Sequence, residues 1–319
     1  MRFSRLLGIL FLCWAALAGS ASAQNYPQRA VKLVVPAPAG GPTDVPARLV
    51  AEGLGELAGQ RFVIENRAGA GGLIAAESVF KAEPDGYTLL FANTSVLAVN
   101  PALQEKPPYD PAAFVPVGFV SNSPQILIAN PKLPVKTVKE LLEYARENPG
   151  KLNFASGGVG SLPHLTYELF KLESGIDAVH VPYAGGAPAT AALMAGQADV
   201  LFDLVRTRIK TGEVRAIATT GTARDPDLPD VPTFAESGFP GITATSITTI
   251  VAPPGTPRDI AAFLNAKLNE LHRRPEFQAR MKSFGLVPRS STPEELGAYA
   301  AREYRKWARV VKASGARAD

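Results

Sequence analysis

Cysteine is all but missing from this chain, and Cys13 is the only one. It lies in a segment that reads as a secretory leader, so no disulfide is expected downstream and the core must hold the fold by itself. Arg2 and Arg5 form a positive n-region, Leu6 to Ala18 is apolar apart from Gly8, and Ala21-Ser22-Ala23 supplies a small-x-small cleavage pattern. Residues 1–23 are therefore expected to be a signal peptide, cut after Ala23, and the protein to be periplasmic. Thirteen residues of leader core fall short of the roughly 20 that span a bilayer. Leu12 is too bulky for the residue before a lipoprotein cysteine.

Other absences narrow the function. No later apolar run approaches spanning length. An excess of charge of one sign is lacking: the formal net charge of +4 falls to +2 once Arg2 and Arg5 are removed, too little and too scattered to suggest a nucleic-acid partner. Histidine occurs only at His164, His180 and His272, with no recognisable ligand cluster, so neither a metal nor a cofactor is expected. No Gly-x-Ser-x-Gly elbow, Walker loop, His-Glu-x-x-His or Cys-x-x-Cys occurs, and no enzymatic activity is expected.

What is present is a regular alternation of strands and helices. Val31 to Val35 is an almost continuous apolar run, as in a strand buried on both faces. A turn follows, and a helix opens near Thr43 or Asp44, both good N-caps. Its buried stripe is Leu49, Val50, Gly53, Leu54 and Leu57. Arg61 to Glu65 and Tyr87 to Phe91 are the next strands, with the helix Leu73 to Lys81 between them. A second unit starts with a capping box at Thr137 and Glu140. Its strands are Leu152 to Ala155, Ala178 to Pro182, Asp199 to Phe202 and Val214 to Ala218, and Pro188 and Gly196 bracket one of its helices. Three C-terminal helices follow Pro253-Pro254, one capped by Thr256 and another by Thr292 with Glu295.

The class is α/β in two units. The first lobe is expected over residues 24–123, with 247–319 returning to it, and the second over 124–246. The chain then crosses twice, near Pro116 to Ser123 and near Gly241 to Ile250, which makes a natural hinge.

Two turns stand out. Gly40, Gly41, Thr43 and Asp44 lie between a buried strand and a helix start, where backbone amides and the helix dipole favour a negative group. A plain capped turn explains them equally well. Ser156, Gly157, Gly158, Gly160, Ser161 and His164 occupy the corresponding place in the second unit. Pro163 stands where a dinucleotide fingerprint needs its third glycine, and no acidic residue is placed for a ribose. Neither turn contains Lys or Arg, which argues against phosphate and suits a carboxylate held by amides, hydroxyls and water. Asn93, Thr94 and Ser95 add polar groups at a third strand end, or form a capped loop. Asp203, after Val200-Leu201-Phe202, is a ligand acceptor or else a cap or a partner for Arg206 or Arg208. Tyr183 lines the cleft or belongs to the core.

The sequence resembles the periplasmic receptors of the tripartite tricarboxylate transporter family, also called Bug receptors. The resemblance covers nearly the whole chain after the leader. Tyr26-Pro27, Val34-Val35-Pro36, Gly40-Gly41 and Asp44 carry it, with Val63 to Gly72, Pro84 to Leu89, Asn100-Pro101, Leu133-Pro134-Val135 and Gly150 to Asn153. His180-Val181-Pro182-Tyr183, Phe202-Asp203, Leu228 to Thr233, Ala252-Pro253, Gly255-Thr256-Pro257 and Trp307 complete it.

The resemblance implies a two-lobed type II periplasmic-binding-protein fold, a Venus flytrap with a mostly parallel sheet in each lobe and two hinge crossings. It implies a small carboxylate ligand (a di- or tricarboxylate, an acidic amino acid or an aromatic acid) held at Gly40 to Asp44, Asn93 to Ser95 and Ser156 to Ser161, with Asp203 reading its far end. The implied partners are one large and one small integral membrane transporter subunit; the alternatives are a receptor that feeds a sensor kinase and, less favoured, an enzyme on the same scaffold, and the chain is expected to be a monomer. The chain departs from the family at Ala37 and Ala39, where an aromatic residue and a glycine are usual, and in about three residues missing after Asp203. Arg206 or Arg208, in that shortened stretch, is expected to offer a charge to a second carboxylate.

Overall fold

The computed structural model describes residues 26–41 and 43–316. The expected signal peptide and its cleavage site lie outside the described residues.

Two five-stranded sheets organise the chain. The first has the order β2-β1-β3-β10-β4, with β1 at Val31–Val35, β2 at Phe62–Asn66, β3 at Thr88–Asn93, β4 at Val115–Pro124 and β10 at Thr245–Ala252. The second has the order β7-β6-β8-β5-β9, with β5 at Ile126–Ala129, β6 at Asn153–Ser156, β7 at Val179–Pro182, β8 at Val200–Asp203 and β9 at Arg215–Thr219. In each sheet one strand, β10 or β5, runs against the rest.

Alternation along the strands sends side chains to both faces. Val31, Leu33 and Val35 join Leu89 and Phe91 under α1 (Asp44–Ala58) and α8 (Arg258–His272). Val34, Leu90 and Phe119 face the other way, toward α2 (Leu73–Phe80) and α10 (Pro293–Ser314). In the second sheet, Phe154, Val200 and Phe202 pack under α4 (Val138–Glu147) and α5 (Leu162–Ser174), while Ala155 and Leu201 meet α6 (Gly186–Ala195).

The stretch Pro116 to Ser123 is not a free connector but most of β4, and the chain changes sheets at Gln125, between β4 and β5. The two passages are tied together there, since Gln125 N donates to Ala244 O at 3.2 Å and Thr220 Oγ1 donates to Gln125 O at 3.0 Å. The C-terminal helices do pack on the first sheet, but α10 also reaches the second lobe. Trp307, Val310 and Val311 share a buried cluster with Ala98 and Val99 of the first lobe and Leu162, Leu165 and Leu169 of α5.

Several caps differ from expectation. Thr43 precedes α1 without a side-chain cap, and Thr256 Oγ1 turns back to Pro253 O, leaving Pro257 as the cap residue of α8. Thr137 does cap α4, but the Glu140 carboxylate takes the Lys136 amide, one residue too early for a full box. At Thr292 and Glu295 both halves of the box form.

Candidate functional site

The turns after β1, β2 and β3 sit on one edge of the first sheet because these strands are parallel. Gly72, between β2 and α2, lies so close to Pro36 and Val96 that an added Cβ would come within 2.9 Å of each. Asn100 Nδ2 donates to Gly71 O at 2.6 Å. The three turns therefore pack on one another as one rim.

Asp44 is fully buried and shapes this rim. Its Oδ2 accepts from Gly40 N at 2.8 Å and Arg48 Nε at 2.7 Å, and its Oδ1 accepts from Asn66 Nδ2 at 2.7 Å. Burial alone would raise its pKa, but the bonds from Arg48, Asn66 and Gly40 outweigh it and hold the carboxyl below its usual range. The positive end of α1 is thus answered from within the lobe. Gly40, at φ +76°, takes a backbone conformation that other residues rarely adopt.

The residues after β3 divide by task. Asn93 Oδ1 accepts from Val96 N at 3.0 Å. Thr94 is buried, donates to Thr245 O at 2.9 Å and accepts from Ile247 N at 3.0 Å, so it staples β3 to β10. Ser95 is half-buried and opens a π-helical turn, Ser95–Val99, that runs into α3 (Asn100–Leu103). Such turns recur at functional sites.

In the second lobe, β6, β7 and β8 are parallel and their carboxyl ends form the matching rim. Ser156 is buried; its Oγ lies 2.7 Å from His180 Nε2 and 3.1 Å from Gly158 N. Ser161 caps α5 by accepting from His164 N at 3.4 Å, and its hydroxyl donates to Gly158 O at 2.7 Å. His164 Nδ1 accepts from Gly160 N at 3.1 Å, and its ring stacks on His180 at 4.2 Å. Burial, then the neighbouring His180, push the His164 pKa down to about 4, and burial lowers His180 as well. Burial thus favours the neutral form of both imidazoles.

A Cβ on Gly157 would lie 3.1 Å from Gly186 N, so the glycine turn sits directly on the turn after β7. Tyr183 is half-buried there, packed partly into the core. Thr190 Oγ1 donates to Asp203 Oδ2, and Leu204 N donates to Oδ1 at 2.7 Å. Burial raises the Asp203 pKa, although Thr190 and Leu204 oppose it.

Arg206 is paired with Asp225 inside the second lobe, and half-exposed Arg208 with Glu213 at 2.9 Å. Ser156 and His180 have the spacing of a nucleophile and base, yet the serine is buried and its oxygen is shared with the Gly158 backbone. Among the described residues no cluster of side chains suits a metal ion.

Strand directions bring the two rims together. β10 runs against both β3 and β4, so β4 points the same way as β3 and leaves the sheet at the edge bearing the first rim. After Gln125, Ile126 of β5 pairs with Asp203 at the carboxyl end of β8. Both rims therefore adjoin one crossover. They touch where a Cβ on Gly160 would come 2.9 Å from Leu103 Cδ1.

The sequence reading did not single out Gly71, Asn100, Gly185, Gly186 or Thr190 as rim residues. The paired glycines at 71–72 and 185–186 were the available signal; Asn100 and Thr190 had none, since their roles depend on partners brought in by folding.

The pattern of the tripartite tricarboxylate transporter family receptor matches residues 46–316. Protein BugT of Bordetella pertussis is 37% identical over 324 residues, covering 99% of each chain. The solved structure of R. palustris Rpa4515 with adipate has a TM-score of 0.78 at 36% identity, covering 92% of this chain and 99% of that one. MatC from Rhodopseudomonas palustris with bound malate has a TM-score of 0.74 at 34% identity, covering 90% and 100%. The two-lobed fold is thus that of periplasmic binding proteins, and the chain belongs to the tripartite tricarboxylate transporter receptor family, whose members are solute-binding receptors and not enzymes.

Proposed function

We propose that this receptor captures a small carboxylate between its two rims in the periplasm and hands it to the membrane subunits of a tripartite transporter. The observation that carries the reading is the pairing of two glycine-rich rims at one crossover, with no Lys or Arg in either turn. A carboxylate suits such a cleft, because amides, hydroxyls and bridging water hold it without a buried cation. The adipate and malate of the two similar structures fit the same chemistry.

In this reading Gly40, Gly41, Thr43 and Ser95 face the ligand from the first lobe, with Asp44, Asn93 and Thr94 shaping the backbone behind them. Gly157, Gly158, Gly160, Ser161 and Tyr183 face it from the second, supported by Ser156 and His164, and Asp203 receives a hydroxyl, an amine or a protonated acid at the far end. Residues 1–23 direct export, the first lobe comprises 24–123 and 247–319, and 124–246 form the second. One chain acts as a monomer. Ligand contacts to both lobes favour the closed state by their differential affinity.

A thermal-shift panel of dicarboxylates, tricarboxylates, acidic amino acids and aromatic acids on ligand-stripped protein tests the reading. A ligand that binds only the native state adds about 2.7 kcal/mol of stability at a hundredfold excess over Kd, and so raises the melting temperature. No shift from any carboxylate, with a shift from neutral or cationic solutes, would contradict it.

A further inference from the structure

Arg206 opens the short helix α7 (Arg206–Lys210) of the second lobe, and only 11% of its side chain is exposed. Its Nε donates to Oδ2 of Asp225, whose side chain is 10% exposed and lies in the same lobe. The remaining arm of the guanidinium reaches across: Nη1 donates to Gly285 O at 3.3 Å. Gly285 lies between α9 (Pro275–Ser283) and α10, in a link stitched onto the last residues of β4. Asn122 N donates to Val287 O at 2.9 Å, Arg289 N to Val120 O at 3.3 Å, and Val287 N to Ser123 Oγ at 3.1 Å. The acceptor therefore moves with the first lobe.

The two bonds of this guanidinium differ in what they report. The pair with Asp225 is internal to the second lobe and persists however the lobes are arranged. The bond to Gly285 exists only while the lobes keep the present arrangement, so it contributes to the free-energy difference between this arrangement and any other. Asp225 also fixes the plane of the fork, which leaves little rotamer freedom to lose when the cross-lobe bond forms. We propose that Arg206, oriented by Asp225, is an interlobe latch: a positioning residue that biases the molecule toward the lobe arrangement seen here without touching the ligand. The proposal rests on the reading of the protein as a receptor that closes about its hinge.

The absence of cysteine after Gln24 allows a direct test. Glu83→Cys in the first lobe and Arg146→Cys in the second, both exposed, accept spin labels for interlobe distance measurement by pulsed electron resonance on the full, ligand-free protein. Arg206→Lys keeps the charge but loses the fork. Arg206→Met with Asp225→Leu removes both charges, so neither is stranded in the fold. Each is expected to add a population at altered separation, lowering the ratio of the present arrangement to the others by up to about tenfold. Distance distributions that superimpose on the parent overturn the latch, including the case where the melting temperature alone falls. The readout uses no ligand, so its failure leaves carboxylate capture standing, and a silent thermal-shift panel leaves the latch standing.

Discussion

Asp44 accepts the Gly40 amide at 2.8 Å, so the carboxylate that opens α1 also holds the turn leading into it. The same carboxylate binds Arg48 and Asn66. One buried group thereby fixes the conformation of the whole first rim.

Asp44→Ala should therefore cost more than an ordinary surface change. It strands the Gly40 amide and one Asn66 N–H, while the other Asn66 hydrogen keeps Ala37 O and half-exposed Arg48 can turn to water. The expected loss is about 2–3 kcal/mol by urea unfolding, with a smaller loss for Asp44→Asn. Because the folded pKa is depressed, this stability is present above the unfolded value near 3.8 and is lost as pH falls through the folded one. A loss below about 0.5 kcal/mol would show that the turn holds itself.

The buried histidines predict a second acid effect, beginning at higher pH. His164 is neutral when folded, with its pKa pushed down from 6.5 to about 4. The unfolded chain takes up a proton below about 6.5, so stability is full above that pH, declines toward 4 and then levels off. His180 and His272 are shifted the same way, chiefly by burial. His164→Gln should flatten the dependence of the melting temperature on pH between these limits. An unchanged slope would contradict the burial of His164.

Asp203 carries the opposite sign. Burial raises its folded pKa, so its ionisation costs stability as pH rises from the unfolded value through the folded one. Asp203→Asn should leave stability at pH 7 equal or slightly higher, since Thr190 can still pair with the amide while its own hydroxyl turns to Gly186 O. Affinity for the best ligand of the panel should fall about tenfold or more, a loss of roughly 1.4 kcal/mol or above. Loss of stability with unchanged affinity would make Asp203 a structural residue.

Gly160→Ala probes the point where the lobes meet. Its φ of +74° strains any side chain, and the new Cβ would lie 2.9 Å from Leu103 Cδ1. The expected cost is about 1–2 kcal/mol. Leu103→Ala in the same chain should recover the part due to the clash but not the part due to φ. Full additivity of the two changes would show that the contact is absent in solution.

Much of the fold was legible because helix and strand periods are local. β1, α1 and α4 announce themselves by apolar runs, helical spacing and a capping residue. β4, β5 and β10 did not. Val115–Pro124 mixes Pro116, Gly118 and polar Ser121 to Ser123, and its strand character comes from pairing with a segment more than a hundred residues later. The site divides in the same way. Two glycine turns could be located from the sequence, but the division of labour within them could not. Thr94 spends its hydroxyl on β10, Asp44 its carboxylate on Arg48 and Asn66, and Arg206 its charge on Asp225. Each of these partners is distant in sequence or unmarked by any motif.

The central claim is most directly tested by a crystal structure of the protein with the carboxylate that gives the largest thermal shift. The account predicts that acid lying between residues 36–44 and 93–95 on one side and 156–161 and 183–186 on the other, with no cation within hydrogen-bonding reach. An acid bound on a single lobe, or held by a lysine or arginine from elsewhere, would contradict it.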